Sequence, residues 1–76
     1  MEKQFDQLRQ TLGQNVRRLR VERGLSQEQL AFESEIDRTY VSQIERAVIN
    51  PSLFVLFRVS TVLGVSVGDL LVTGPD

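Results

Sequence analysis

The stretch LAFESEIDRTYVSQIER, Leu30 to Arg46, carries two apolar helical stripes separated by a polar hyphen, Glu33-Ser34-Glu35. Ser26 followed by Gln27-Glu28-Gln29 reads as a capping box, with Gln29 as the reciprocal partner of the Ser26 cap. Asp37 is the next capping side chain. One helix is therefore expected from about Gln27 to Ser34 and a second from about Arg38 to Arg46. A turn of about three residues lies between them, and this is helix-turn-helix spacing. The pair makes specific demands. Ala31 has to be small where the helices cross, and Leu30, Ile36, Val41 and Ile44 have to anchor both on a core. The sequence meets each of them.

The rest of the chain supplies that core. Phe5, Leu8, Leu12, Val16 and Leu19 recur at three- and four-residue intervals, which predicts one amphipathic helix over residues 3–22. Gly13 weakens it by about 1 kcal/mol relative to alanine, which leaves room for a break or a bend there, and Gly24 suits its C-terminal end. Asn50-Pro51 reads as a cap followed by proline in the first turn. Behind it Leu53, Leu56, Val59 and Leu63 form a stripe that ends at Gly64. Ser66 and Asp69 form a second capping box before Val67, Leu70 and Leu71, and Gly74-Pro75 stops regular structure. Five helices and no sheet are predicted.

On a wheel of about 100° per residue, Val41 and Ile44 set the buried side of the third helix. Thr39 and Arg46 then point almost opposite, Ser42 and Gln43 lie beside them, Arg38 sits at the N-terminal edge, and Tyr40 and Glu45 occupy the flanks. The outward face has no carboxylate at its centre. Glutamine can pair bidentately with adenine, arginine with guanine, and threonine can touch a thymine methyl. A face that merely meets solvent more often mixes Glu and Lys.

Composition narrows the alternatives. Seventy-six residues give one domain with a modest core. With neither histidine nor cysteine, disulfides, His/Cys metal sites and histidine acid–base catalysis are excluded. Glu33, Glu35 and Asp37 are turn and cap residues rather than metal ligands, and no metal or cofactor is expected. No phosphate loop or nucleophile–base pair marks an enzyme. No apolar run is long enough to span a membrane and no signal peptide opens the chain, so a cytoplasmic location is expected, with nucleoid association when bound. The net charge of −1 counts mildly against nucleic acid. Its distribution favours it, because Arg17, Arg18, Arg20 and Arg23 cluster while Arg38 and Arg46 flank the third helix.

From Leu12 to Leu71 the chain resembles the lambda/434 repressor and Cro-like (XRE-type) helix-turn-helix regulators. The matching segments are LGQNVRRLRVERGLSQEQLA, VSQIER, NPSL and LGVSVGDLL. DRTYVSQIER looks more narrowly like the controller proteins of restriction–modification systems. The resemblance implies an all-α, compact five-helix, lambda-repressor-like domain over residues 12–72. Residues 1–11 then extend the first helix and 73–76 form a flexible tail. It implies that Gln27 meets a phosphate and that Arg38, Thr39 and Gln43 read bases. Tyr40 and Ser42 would support the backbone or neighbouring bases, with Arg46 and Asn50 on the backbone beyond, while Arg20 and Glu45 form a structural ion pair. The family usually has glycine where this chain has Glu35 and Ala47.

Phe54, Val55, Phe57 and Val62 make the fourth helix apolar on nearly every side. A homodimer through the fourth and fifth helices is expected, with Phe54, Phe57, Val67, Leu70 and Leu71 at the interface and the extension packed nearby. The expected function is transcriptional regulation by a homodimer bound to a pseudo-palindromic operator in double-stranded DNA, with RNA polymerase as a further partner. The rival is an antitoxin or adaptor-type protein-interaction module that uses the fourth helix.

Overall fold

The computed structural model describes residues 1–73 and contains five helices among them. They are α1 (Glu2–Glu22), α2 (Gln27–Ser34), α3 (Arg38–Glu45), α4 (Leu53–Leu63) and α5 (Val67–Leu71). Gly74 to Asp76, most of the expected tail, lie outside the described residues. Among the described residues no helix is long and apolar enough to cross a membrane.

The helices begin where side chains can receive their free N–H groups. Ser26 Oγ accepts from Gln29 N at 3.0 Å while Gln29 Oε1 accepts from Ser26 N at 2.7 Å, so the expected box is formed. Asp37 Oδ1 accepts from Thr39 N at 2.7 Å. Ser66 and Asp69 complete the second box at 3.1 and 2.9 Å. The Ser66 backbone N–H, followed by its hydroxyl, holds the Asp69 carboxyl below its ordinary pKa. The fourth start differs from expectation. Ser52, not Asn50, caps α4 by accepting from Val55 N at 3.1 Å, so Pro51 stands before the helix rather than in its first turn.

Four helices end in the same way. Paired backbone bonds close α1 (Leu25 N to Arg20 O, Gly24 N to Val21 O) and α2 (Ile36 N to Ala31 O, Glu35 N to Phe32 O). The same pairs close α3 (Val48 N to Gln43 O, Ala47 N to Ile44 O) and α4 (Val65 N to Ser60 O, Gly64 N to Thr61 O). This is the Schellman arrangement, which needs one left-handed residue per helix end. Gly24, Glu35, Ala47 and Gly64 take that role, with φ of 69, 58, 61 and 74°.

The core gathers Leu12, Val16 and Leu19 of α1, Leu30 and Ala31 of α2, Val41 and Ile44 of α3, Leu56, Val59 and Leu63 of α4, and Leu70 of α5. Three stripe residues fall outside it. Phe5 and Leu8 remain 44% and 40% exposed because α1 projects beyond the other helices, and Leu53 is 74% exposed because it faces outward from the first turn of α4. Leu70 is fully buried, which removes it from the expected dimer surface. The reason is a side chain on α1. The buried Asn15 amide donates to Leu70 O at 2.9 Å and Val72 O at 2.7 Å, turning α5 so that Leu70 faces inward.

α1 runs unbroken through Gly13. An ideal Cβ at this position would stand 2.6 Å from Ile44 O and 2.7 Å from Glu45 O, so the glycine lets the end of α3 rest on the α1 backbone. Helix propensity alone favours Gly13→Ala by about 1 kcal/mol. Overpacking against two backbone carbonyls reverses the sign, and the substitution is expected to destabilise the domain by about 1–3 kcal/mol in urea denaturation.

Candidate nucleic-acid interface

The placement of α3 depends on one ion pair. Arg20 Nε donates to Glu45 Oε2 at 2.6 Å and Arg20 Nη2 donates to Glu45 Oε1 at 3.1 Å, in fork geometry. The two side chains are only 13% and 5% exposed. Arg20 Nη1 also donates to Leu25 O at 2.8 Å, and Gln27 Nε2 donates to Glu45 Oε1 at 3.1 Å. One carboxylate thus joins α1, the first residue of α2 and the last residue of α3. A charge pair this withdrawn from water is sustained only when its remaining hydrogen-bonding groups are also engaged, as they are here.

With its inner side fixed by Val41, Ile44 and Glu45, α3 turns the predicted face to solvent. Arg38, Thr39 and Arg46 are exposed, while Ser42 and Gln43 are half-buried along the same helix. Arg38, Thr39 and Ser42 line a notch of about 170 Å³ together with Gln27 from the start of α2. Residues 11 or more positions apart therefore meet as one surface. Arg46 Nε donates to Ser42 Oγ at 3.2 Å, which draws the arginine back along the helix.

Two of the residues expected at DNA have neighbours of their own within the subunit. The Tyr40 hydroxyl accepts from Ser52 N at 3.3 Å, tying α3 to the cap of α4, and the ring packs against the core. Asn50 is exposed and lies beside the start of α1, next to Met1, Glu2, Phe5, Asp6 and Arg9.

The turn between α2 and α3 keeps the backbone form of the glycine-bearing family pattern. Glu35 adopts the left-handed conformation (φ 58°, ψ 43°), as does Ala47 after α3, at a cost of about 1 kcal/mol or more for a residue with a Cβ. Arg58 of α4 holds this turn by donating from Nη1 to Glu35 O at 3.2 Å.

Sequence reasoning passed over Arg58, Asn15 and Phe32. Arg58 was legible as the single charge in the apolar run of α4, and Asn15 as a polar residue beside the α1 stripe. Phe32, 84% exposed on α2, carried no periodic signal.

A family model described as Helix-turn-helix matches residues 16–70. The chain belongs to the helix-turn-helix family. It is 46% identical over 65 residues to control protein C.BamHI of Bacillus amyloliquefaciens, spanning 84% of this chain and 80% of that protein. The crystal structure of the restriction–modification controller protein C.AhdI from Aeromonas hydrophila is similar with a TM-score of 0.79 at 42% identity, covering 82% of this chain and 94% of that one. The structure of SinR, a master regulator for biofilm formation, in complex with DNA gives 0.77 at 42% identity, covering 80% and 98%. Other relatives are longer. The match spans only 42% of the immunity repressor protein of Bacillus phage phi105.

Two results are expected from the scaffold. Glu45→Ala leaves Arg20 buried without its partner and should lower the unfolding free energy by about 3–5 kcal/mol. A loss below about 1 kcal/mol would be that of an ordinary surface pair. Glu35→Gly and Ala47→Gly relieve left-handed strain and should each stabilise the domain by about 0.5–1 kcal/mol, read from thermal and urea unfolding.

Proposed function

We propose that this chain is a sequence-specific DNA-binding transcriptional regulator that acts as a homodimer on a pseudo-palindromic operator. The observation that carries the reading is the outer face of α3. Arg38, Thr39, Ser42, Gln43 and Arg46 are held away from the core by the Arg20–Glu45–Gln27 network behind them. A helix presented in this way enters the major groove, and these side chains carry the hydrogen-bonding groups that distinguish base pairs there. Gln27 stands at the start of α2, where free N–H groups and the helix dipole favour a phosphate. Its amide is already oriented by Glu45, so it approaches the backbone in a fixed pose. Similarity to controller proteins and to SinR, whose solved structure includes DNA, supports the same role.

Dimerisation uses the outer side of α4. Phe54 and Phe57 are 61% and 57% exposed, and half-buried Val67 and Leu71 of α5 belong to the same proposed surface. Large apolar groups left open in a domain of this size mark an interaction surface. A two-fold dimer reads half-sites about one helical turn apart, near 34 Å. The chain is proposed to do no catalysis and to work in the cytoplasm. Contact with RNA polymerase would fall on the other open face, where Phe32 lies with Glu28 and Glu33.

Selection from random duplexes tests the reading. The expected product is a palindromic motif, with Gln43→Ala losing about 1–3 kcal/mol and relaxing preference at one symmetric position. Absence of any enriched motif, with the same weak low-salt binding for both proteins, would sink it and favour an adaptor that binds protein through α4.

A further inference from the structure

Arg58 of α4 touches both the apolar outer face of that helix and the turn before α3. Its guanidinium carbon lies 4.2 Å from the centre of the Phe54 ring, and its Nη1 donates to Glu35 O at 3.2 Å. The carbonyl it holds belongs to a residue kept in the left-handed conformation without glycine's freedom, so the turn needs an external hold. The ring it stacks on is 61% exposed.

We infer that Arg58 is a positioning residue that couples dimerisation to the setting of the recognition helix. The inference rests on the proposed dimer through α4. In the monomer, water competes for both the guanidinium and the Glu35 carbonyl, and the turn opens readily. When a second copy covers Phe54, the guanidinium stacked on that ring loses water. Its cation–π contact and its charge-assisted hydrogen bond both strengthen as the local dielectric falls. Glu35 is then held, and with it the angle at which α3 leaves α2. The dimer gains affinity for each half-site beyond the gain from linking two half-sites. Arg58 acts here through the turn, without touching DNA.

Amide hydrogen exchange at Glu35 and Ile36, measured across a dilution series of the full chain with sedimentation in parallel, tests the coupling. In the wild type, protection of these two amides should rise about fivefold as the dimer forms. In Arg58→Ala the rise should vanish and, because coupling is reciprocal, the dimer should weaken by up to about fivefold for each subunit while still forming at the highest concentrations. Arg58→Lys, which keeps the charge and loses the planar stack, should show a rise of no more than about twofold. A dimer whose turn protection does not change, or rises equally in Arg58→Ala, overturns the inference and leaves the dimer reading standing. A chain that sediments as a monomer throughout overturns both. If Arg58→Ala instead lowers the salt slope of binding to the selected duplex by about two, one for each subunit, Arg58 sits on a phosphate and the coupling role is wrong.

Discussion

Glu45 is where the structure is held together. Its carboxylate takes two hydrogen bonds from Arg20 and one from Gln27, so three helical segments converge on two oxygen atoms. Gly13 makes the convergence sterically feasible by letting the carbonyls of Ile44 and Glu45 approach α1 closely. Neither feature alone would suffice. A fork-shaped ion pair fixes direction, and a missing side chain fixes distance. Together they determine where the end of α3 sits, and a helix of only eight residues then has little freedom elsewhere.

The economy of the fold lies in a repeated helix ending. The same pair of backbone bonds closes α1, α2, α3 and α4, each around one left-handed residue. Glycine stands at two of the four positions and carries the left-handed conformation without strain. At the other two, Glu35 and Ala47, a residue with a Cβ takes it, and the Glu35 carbonyl is also held by Arg58. Those two flank α3, the helix that carries the proposed base-reading side chains. Strain held beside a functional element by neighbouring contacts is a recurrent arrangement, and Arg58 is the neighbour that reaches the first of these two residues.

Much of this was legible in the sequence because capping and periodicity are local. The boxes at Ser26 and Ser66 and the cap at Asp37 formed as read, since a serine or aspartate meets the N–H groups two or three residues ahead without help from the rest of the chain. The direction of α3 followed from Val41 and Ile44 in the same way. The misreadings had a common cause. Asn50-Pro51 and Ser52 both carry a start signal, and only the bond between Tyr40 and Ser52 shows how the segment is held. Leu53 matched the helical period of the α4 core stripe, yet periodicity does not say whether another helix covers the first turn. Leu70 was assigned outward because nothing local reveals that Asn15, 55 residues away, turns α5 over.

By itself, then, the sequence determined the number of helices, their order, the polar face of α3 and the residue types on it. These follow from contacts within a few positions along the chain. The tertiary structure decided that Gln27 joins Arg38, Thr39 and Ser42 in one notch while Asn50 lies beside the start of α1, and that Glu35 keeps a glycine's backbone without being one. It also placed Leu70 inside and left Phe32 outside. Each of those outcomes depends on which helices touch, through the close approach at Gly13, the buried charge at Glu45, the Asn15 amide on α5 and Arg58 at the Glu35 turn.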